Sequence, residues 1–459
     1  MAMKDKLRTD VFVLGGGPSG VCAAIGAARC GAKVTLAERH FLLGGTATEA
    51  LVNPWQTFHS PAGRVIGGVA QELVERLRAR GGCPGHLPDP IGFVASVTPF
   101  DYDALKSELL EWTRQEGISA LLGFRFRDAV VSGGRILSVD IEDEQRNIVN
   151  VEASSYVDAT GNGDLTHAAG CEMEIDPDCQ PMTLIFVLER VDAVAIKEYQ
   201  KKHPEEFYMN RDPSVPDRGY IGVSGFFEHV RRARDSGRLE VPRDRVLFFG
   251  GAEPGQVVVN TTRVTGYNGL YGDQVSEAMK IAMGQVKNLY SFMADELPGF
   301  ARARISRIAD HIGVRETRRL IGRYVMNESD ILATSFFEDA VAKGAFPLDI
   351  HSATDSSIST ELIGGKGHYD VPLRCLLNGR VENLITVGKC ISVTHRGYSS
   401  TRVMPTCMAV GQGGGVAAAL AAARKKDPEE IAVAIRSELR RQKAILLDED
   451  VVIEKLTGD

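Results

Sequence analysis

Apolar and polar positions along this chain fall into blocks whose period changes several times. A β-prone run, Val11–Leu14, enters a glycine turn, then an Ala-rich helical pattern over Val21–Cys30. Gly31 follows, and a second apolar strand, Lys33–Ala37, is closed by Glu38. Gln71–Arg80 reads as a charged helix stopped by Gly81–Gly82. Asp101 stands at the cap position of a helix over Tyr102–Glu116, whose Leu105, Leu109, Leu110 and Trp112 share one side. Ser119–Val157 is strand-like, with turns at Gly133–Gly134 and Asp143–Arg146, and predicts a small meander. From Gln180 to about Gly365, strands such as Met182–Leu188 and Val257–Asn260 alternate with helical stretches over Asp273–Ala294 and from Phe300 to about Arg319. The tail returns to the opening style. Asn383–Val387 enters Gly388, Met404–Arg424 is a small-residue helix with Pro405 in its first turn, and Asp427 opens a terminal amphipathic helix.

The expected architecture is α/β: a Rossmann-type dinucleotide-binding domain carrying an inserted α+β substrate or cap domain. Residues 1–179 form the first part of the binding domain, 180–366 the insertion, 367–426 the return, and 427–459 a C-terminal helix. The opening unit supplies the chemistry. Gly15, Gly17 and Gly20 have G-x-G-x-x-G spacing between a strand and a helix, and Glu38 lies 18 residues after the last of them. Such a turn brings backbone N–H groups and a positive helix end to a pyrophosphate, while the acid can accept from a ribose diol.

Composition narrows the function classes. With 44% hydrophobic and 25% charged residues the chain is ordinary for a globular protein. The 48 glycines suit many tight turns around a ligand. A formal charge of −7 without a long basic run argues against nucleic acid. No run reaches the roughly 18 consecutive apolar residues of a membrane span. No apolar secretion signal precedes the first strand, so neither membrane nor secretion is expected. Eight cysteines without a C-x-x-C pair give no support to a metal, iron–sulfur or redox-disulfide site and fit a reducing cytoplasm.

The same strand–glycine-turn grammar recurs at Gly44–Thr48, Ala159–Asp164 and Gly388. Four segments extend it: ERHFLLGGTATEALV (Glu38–Val52), DATGNGDLTHAAG (Asp158–Gly170), RETRRLIGRY (Arg315–Tyr324) and VENLITVGKCISVTHRGYSSTRVMPTCMAVGQGGG (Val381–Gly415). On these segments the chain resembles the FAD-dependent oxidoreductase family of the glutathione-reductase-like flavoprotein superfamily, related to the flavin subunit of heterodisulfide reductases. The resemblance implies FAD as cofactor. It places Gly15, Gly17, Pro18, Ser19 and Gly20 at the pyrophosphate, and Glu38 and Arg39 at the adenosine half. Gly44, Gly45, Thr46 and Ala47 would border pyrophosphate and flavin; Thr160, Gly161 and Asp164 would close on the dinucleotide; Gly388 would lie near the ribityl chain. The helix from Met404, with Thr406 in its first turn, would aim its positive end at the flavin pyrimidine edge. A nicotinamide enzyme has no use for the second glycine motif and the returning helix. Gly411–Gly415 lies in a helix-like run where packing is the better account.

Catalytic expectations fall on the loop after Gly388 and on NPWQTFHS. His395, His59, Arg402 and Tyr398 are the catalytic candidates, with Arg402 suited to a flavin carbonyl or a substrate carboxylate. For His59 a core histidine is an equal account. Arg396, Arg263, Asn260 and Tyr369 are candidates for substrate contact, and His351 and His368 weaker ones. Arg315 and Arg318, three apart on the expected helix, would share a face beside Glu316. No metal is expected. Cys390 and Cys407 lack a partner at short spacing, and a buried thiol needs no further role. The expected function is hydride transfer between a small polar organic substrate and flavin N5, with a separate electron donor or acceptor. An electron-transfer flavin subunit and a flavin-dependent isomerase or hydratase stand as alternatives. Substrate, covalent attachment of the flavin and a homo-oligomeric state stay open.

Overall fold

A computed structural model describes residues 5–208, 219–352, 358–454 and 456. Its centre is a sheet in which β1 (Asp5–Leu14), β2 (Val34–Glu38) and β3 (Ser119–Leu122) run parallel, with α1 (Pro18–Ala28) crossing between the first two. Two antiparallel strands, β4 (Arg125–Ser132) and β5 (Arg135–Glu142), lead into the long β6 (Ile148–Asp158). The first half of β6 pairs with β5, and along its other edge β6 lies parallel to β1 with Leu14 opposite Asp158. The strand Leu384–Thr386, 226 positions further on (384 − 158), returns to pair with the end of β6. The meander therefore forms with the expected turns, but Ser119–Leu122 belongs to the parallel sheet. Strands β1, β2, β6 and Leu384–Thr386 all end at one edge, so Gly15, Arg39, Ala159 and Gly388 open on a common crevice.

Two further helices, α2 (Gly68–Ala79) and α3 (Tyr102–Gln115), pack against this domain, and Asp101 caps α3 by accepting from the Ala104 N–H at 2.7 Å. The insertion builds a five-stranded antiparallel sheet in the order β8 (Gly222–Gly225), β9 (Val246–Gly250), β10 (Val257–Val259), β7 (Phe186–Glu189) and β11 (Arg304–Ile308). The 25-residue α4 (Gly272–Glu296) buries Ala278, Ala282, Val286 and Leu289, and its Gln285 clasps the backbone N–H and carbonyl of Arg263.

One expected helix is absent. Over Phe300–Arg319 the chain forms β11 and then a loop leading to the strand Arg318–Leu320, which pairs with Met173–Ile175. Alternating Ile305 and neighbours satisfy their backbone groups on β7, so pairing across the sheet overrides a short, ambiguous apolar pattern.

Near the end, α5 (His395–Thr401) is followed at once by α6 (Met404–Arg424). By length and composition α6 could cross a membrane, but 72% of that apolar window is buried inside the protein, against α1 and the sheet. Its small residues permit that packing. A Cβ on Gly415 would lie 2.0 Å from the Ala23 carbonyl oxygen, and one on Gly413 3.0 Å from Val341 Cβ. Beyond a last helix, Ala432–Arg441, the chain does not stay helical. It runs back as a strap whose Val452 exchanges two backbone hydrogen bonds with Arg64.

Candidate functional site

The glycine turns meet as expected, but they do different work. A Cβ on Gly20 would sit 1.8 Å from the Gly15 carbonyl oxygen, and one on Gly15, whose φ is +105°, 2.4 Å from that of Ala159. These two glycines serve the packing of strand, turn and helix. At Gly17 a Cβ would meet nothing nearer than Gly45 Cα at 4.0 Å. A Cβ on Gly45, whose φ is +48°, would instead lie 2.9 Å from Gly17 Cα, so the two glycines meet backbone to backbone along a narrow seam at the N-terminus of α1, where Pro18 occupies the first turn. The free space on Gly17 and the helix N-terminus beside it supply the room and the polarity a pyrophosphate requires. Ser19 Oγ, buried beside Gly388, has no partner among the described residues.

Two carboxylates shape the turns. Glu38 accepts the Gly16 N–H at 2.6 Å and the His40 N–H at 2.9 Å, so it organises the first turn while each oxygen keeps a lone pair for a diol. Arg39 is exposed and donates to His40 Nε2 at 3.0 Å. Asp158, fully buried, accepts from the N–H and hydroxyl of both Thr160 and Thr166 at 2.7–3.1 Å. The sequence reading missed it; an aspartate at a strand end, with threonines two and eight residues on, is the local turn signal that reveals it. Thr160 Oγ1 in turn accepts the Asp164 N–H at 3.0 Å, and Asp164 pairs with Arg318 at 3.0 Å. Burial and neighbouring Asp158 push the Asp164 carboxyl up, against the pull of Arg318.

Beginning at Thr46, next in sequence to Gly45, a cavity of about 510 Å³ extends to the antiparallel sheet. Thr46, Lys389, Val403 and Met404 line it on the crevice side, and Ser224, Leu247, Phe249 and Asn260 on the sheet side. Met404 is the first residue of α6, so the positive end of a 21-residue helix faces the cavity. Arg243, Arg245, Leu247 and Phe249, alternate residues leading into and along β9, all reach it.

Its charge is lopsided: four arginines (243, 245, 315 and 402) and Lys389 face one carboxylate, Asp349. Burial and the neighbouring Arg263 push the Arg243 guanidinium down to about 10. Arg315 is shifted the same way by burial, then by Arg402 and Arg243, and donates to the Pro181 carbonyl at 2.5 Å and Thr183 Oγ1 at 2.6 Å. Burial would raise Asp349, yet His351, Arg402 and Arg315 around it bring its carboxyl down to about 2. Burial brings His351 down to about 4, and its Nε2 lies 3.1 Å from Asp349 Oδ2. At neutral pH the pair is therefore a carboxylate and a neutral imidazole. Burial also lowers Lys389, whose Nζ donates to the Val314 carbonyl at 2.9 Å.

Of the sequence-derived candidates, Arg402, Asn260, His351, Thr46 and Met404 line the cavity. Others lie elsewhere. His395 is turned to Glu316 at 2.9 Å and Asp176 at 3.3 Å, and its hydrogen bond to Glu316 raises its pKa. His59 is buried between Ser96 Oγ and Glu454, each at 2.9 Å. Tyr398 is buried with its hydroxyl donating to the Arg315 carbonyl, and Tyr369 with its hydroxyl 2.8 Å from Ser400 Oγ. Arg396 is exposed and pairs with Glu361 and Glu328. Arg263 lies behind the wall, donating to the Ser352 carbonyl at 2.6 Å. Because 315–319 is not helical, Arg315 and Arg318 part company, and Arg319 is wholly buried on Glu316 and Glu174. Ala47 and Thr406 are buried, Thr406 in the first turn of α6. Gly44 has φ +113° and opens the short turn Gly45–Ala47; the position beside Gly161 is open but for Lys389 Cε at 3.6 Å. All eight cysteines are free, and burial pushes the Cys407 thiol up to about 12.

A family model described as FAD dependent oxidoreductase matches residues 10–442. Thiamine thiazole synthase from Methanococcus aeolicus is 29% identical over 167 residues, 34% of this chain and 57% of that protein, so the chain spans little more than half of this relative's length. Among solved structures, a geranylgeranyl bacteriochlorophyll reductase-like protein from Thermoplasma acidophilum is similar in fold: TM-score 0.50 and 11% identity, over 97% of this chain and 90% of that one. The p-nitrophenol 4-monooxygenase of Pseudomonas putida gives TM-score 0.43 and 12% identity, over 97% and 84%.

Proposed function

The chain belongs to the FAD dependent oxidoreductase family, and from that membership we propose that it oxidises or reduces a small organic molecule held in the 510 Å³ cavity. The observation that carries this reading is the cavity's continuity: it runs from Thr46 and Met404, at the cofactor seam, to Arg243 and Phe249 on the inserted sheet. Bound FAD supplies a centre that takes up or releases hydride.

The chain's own residues do the rest. Gly17 leaves backbone room for the pyrophosphate, and Ser19 Oγ offers it an uncommitted hydroxyl. Glu38 holds the ribose, while Thr160 and Gly161 close the opposite lip. The α6 N-terminus and Lys389 make the near end of the cavity electropositive, which favours negative charge there. Arg402 stands at the junction, 3.9 Å from Asp349. A carboxylate held as low as Asp349 is a weak base; it suits a counter-ion that orients Arg402 and His351. His351, the imidazole of the lining, has Nε2 on Asp349 and Nδ1 3.5 Å from the Arg263 guanidinium, so it serves to hold the carboxylate in place.

The test is anaerobic. Purified protein should be yellow and should bleach when a true substrate is added. Colourless protein that cannot be reconstituted with FAD overturns the reading.

A further inference from the structure

Arg243 is the least explained side chain of the cavity. It is 5% exposed, lines the cavity, and makes no ion pair among the described residues; its Nε lacks any hydrogen-bond partner among them. The acid next to it in sequence, Asp244, is taken by Arg245 in a two-point contact at 2.9 and 2.7 Å. Asp349 is committed to His351 and faces Arg402. Burying a guanidinium without a paired counter-charge is unfavourable, so a fold that keeps one beside an open cavity calls for an anion there.

Arg243 does not belong to the glycine turns. It precedes β9 of the inserted sheet and shares the cavity lining with Arg315 and Asp349, whereas Gly17 and Gly45 are not in that lining. The same lining carries the apolar side chains Leu247, Phe249, Phe346 and Ile91. A planar guanidinium fork in a cavity with such apolar walls matches a carboxylate on a hydrocarbon or aromatic body. Arg243 presents one two-point fork, which a single carboxylate fills; phenyl phosphate tests whether the positive lining selects a dianion instead.

We propose that Arg243 binds the carboxylate of an organic-acid substrate whose apolar body lies along Leu247, Phe249 and Phe346. The proposal rests on the oxidoreductase reading above for the word substrate; the anion site itself stands on Arg243.

The experiment titrates the protein with benzoate, its neutral isostere benzamide, and phenyl phosphate. Binding is read twice, as a perturbation of the bound-flavin spectrum and as a shift in melting temperature that needs no flavin. Benzoate should saturate both signals, with benzamide weaker by about tenfold or more, the effect of losing one charge-assisted contact. Arg243→Met should weaken benzoate by about tenfold and leave benzamide unchanged, and Arg243→Lys should recover part of the loss. Should the methionine variant fold poorly, the lysine variant and the benzoate–benzamide ratio of the unaltered protein still decide. Equal binding of benzoate and benzamide, no response to benzoate, or tighter binding of phenyl phosphate than benzoate overturns the proposal. Protein that takes up no FAD yet is stabilised by benzoate through Arg243 overturns the oxidoreductase reading and leaves the anion site standing.

Discussion

A Cβ atom on Gly411 would lie 2.1 Å from the carbonyl oxygen of Ser19, so α6 and α1 meet backbone to backbone at the turn that opens the crevice. The obstacle is main chain and cannot swing aside. Gly411→Ala should therefore destabilise the protein by about 3 kcal/mol or more. It should also displace the first turn of α1 and lower FAD content. Urea unfolding, with flavin absorbance measured on the same samples, checks both effects.

Gly17 gives the opposite case. Its φ is −68°, and a Cβ there would touch no protein atom closer than 4.0 Å. Gly17→Ala should leave stability of the flavin-free protein within about 0.5 kcal/mol. The added methyl would stand in the seam assigned to the pyrophosphate, and FAD affinity should fall by about tenfold or more. Unchanged FAD affinity would show that the seam is not the cofactor's path.

His395 was the leading catalytic candidate of the sequence, yet it faces Glu316 and Asp176. Its folded pKa is raised above the usual 6.5, chiefly by Glu316. The stabilisation is thus complete below about pH 6.5 and is lost as pH rises through the folded value. His395→Gln should lower the melting temperature more at pH 6 than at pH 9. Substrate-driven bleaching should stay within about threefold of the unaltered protein, since the residue is not on the cavity wall. A loss of a hundredfold would restore it to the chemistry.

Two buried histidines work in the reverse direction. Burial brings His351 down to about 4 and His86 to about 3, the latter between Thr98 Oγ1 at 2.7 Å and Gln71 Oε1 at 2.8 Å. Both are neutral when folded and take up protons more readily when unfolded. Their contribution is present above pH 6.5 and is lost as pH falls through the folded values. Each adds a slope of at most about 1.4 kcal/mol per pH unit to unfolding between pH 6.5 and 4. His86→Gln should flatten that slope by close to one proton, measurable as urea midpoints across the range. An unchanged slope would mean that His86 already titrates normally in the fold.

The parts legible beforehand were those whose signal is local. Met404–Arg424 was bounded correctly because proline at its start and a long small-residue run need no knowledge of the partner helix. The Gly133–Gly134 hairpin declared itself by its turn. Arg304–Ile308 was misread because a five-residue strand has too short a period to distinguish from a helix. Only its pairing with Phe186–Glu189 decides it. Arg243, Arg245, Leu247 and Phe249 carried a usable signal, alternation by two, but nothing in the sequence says which face of β9 meets the cavity.

By itself the sequence determined the dinucleotide turn, the returning strand and helix, and hence a FAD-type fold, because glycine spacing and strand–turn–helix order are constraints between near neighbours. Only the tertiary structure decided which charged groups share the site. Arg243, Arg315, Asp349 and Arg402 come from four separate segments, and their proximity depends on how the inserted sheet seats on the crevice. The physical reason is electrostatic. The state of a guanidinium or carboxyl follows from burial and from charges a few ångströms away, and folding, not sequence order, brings those together.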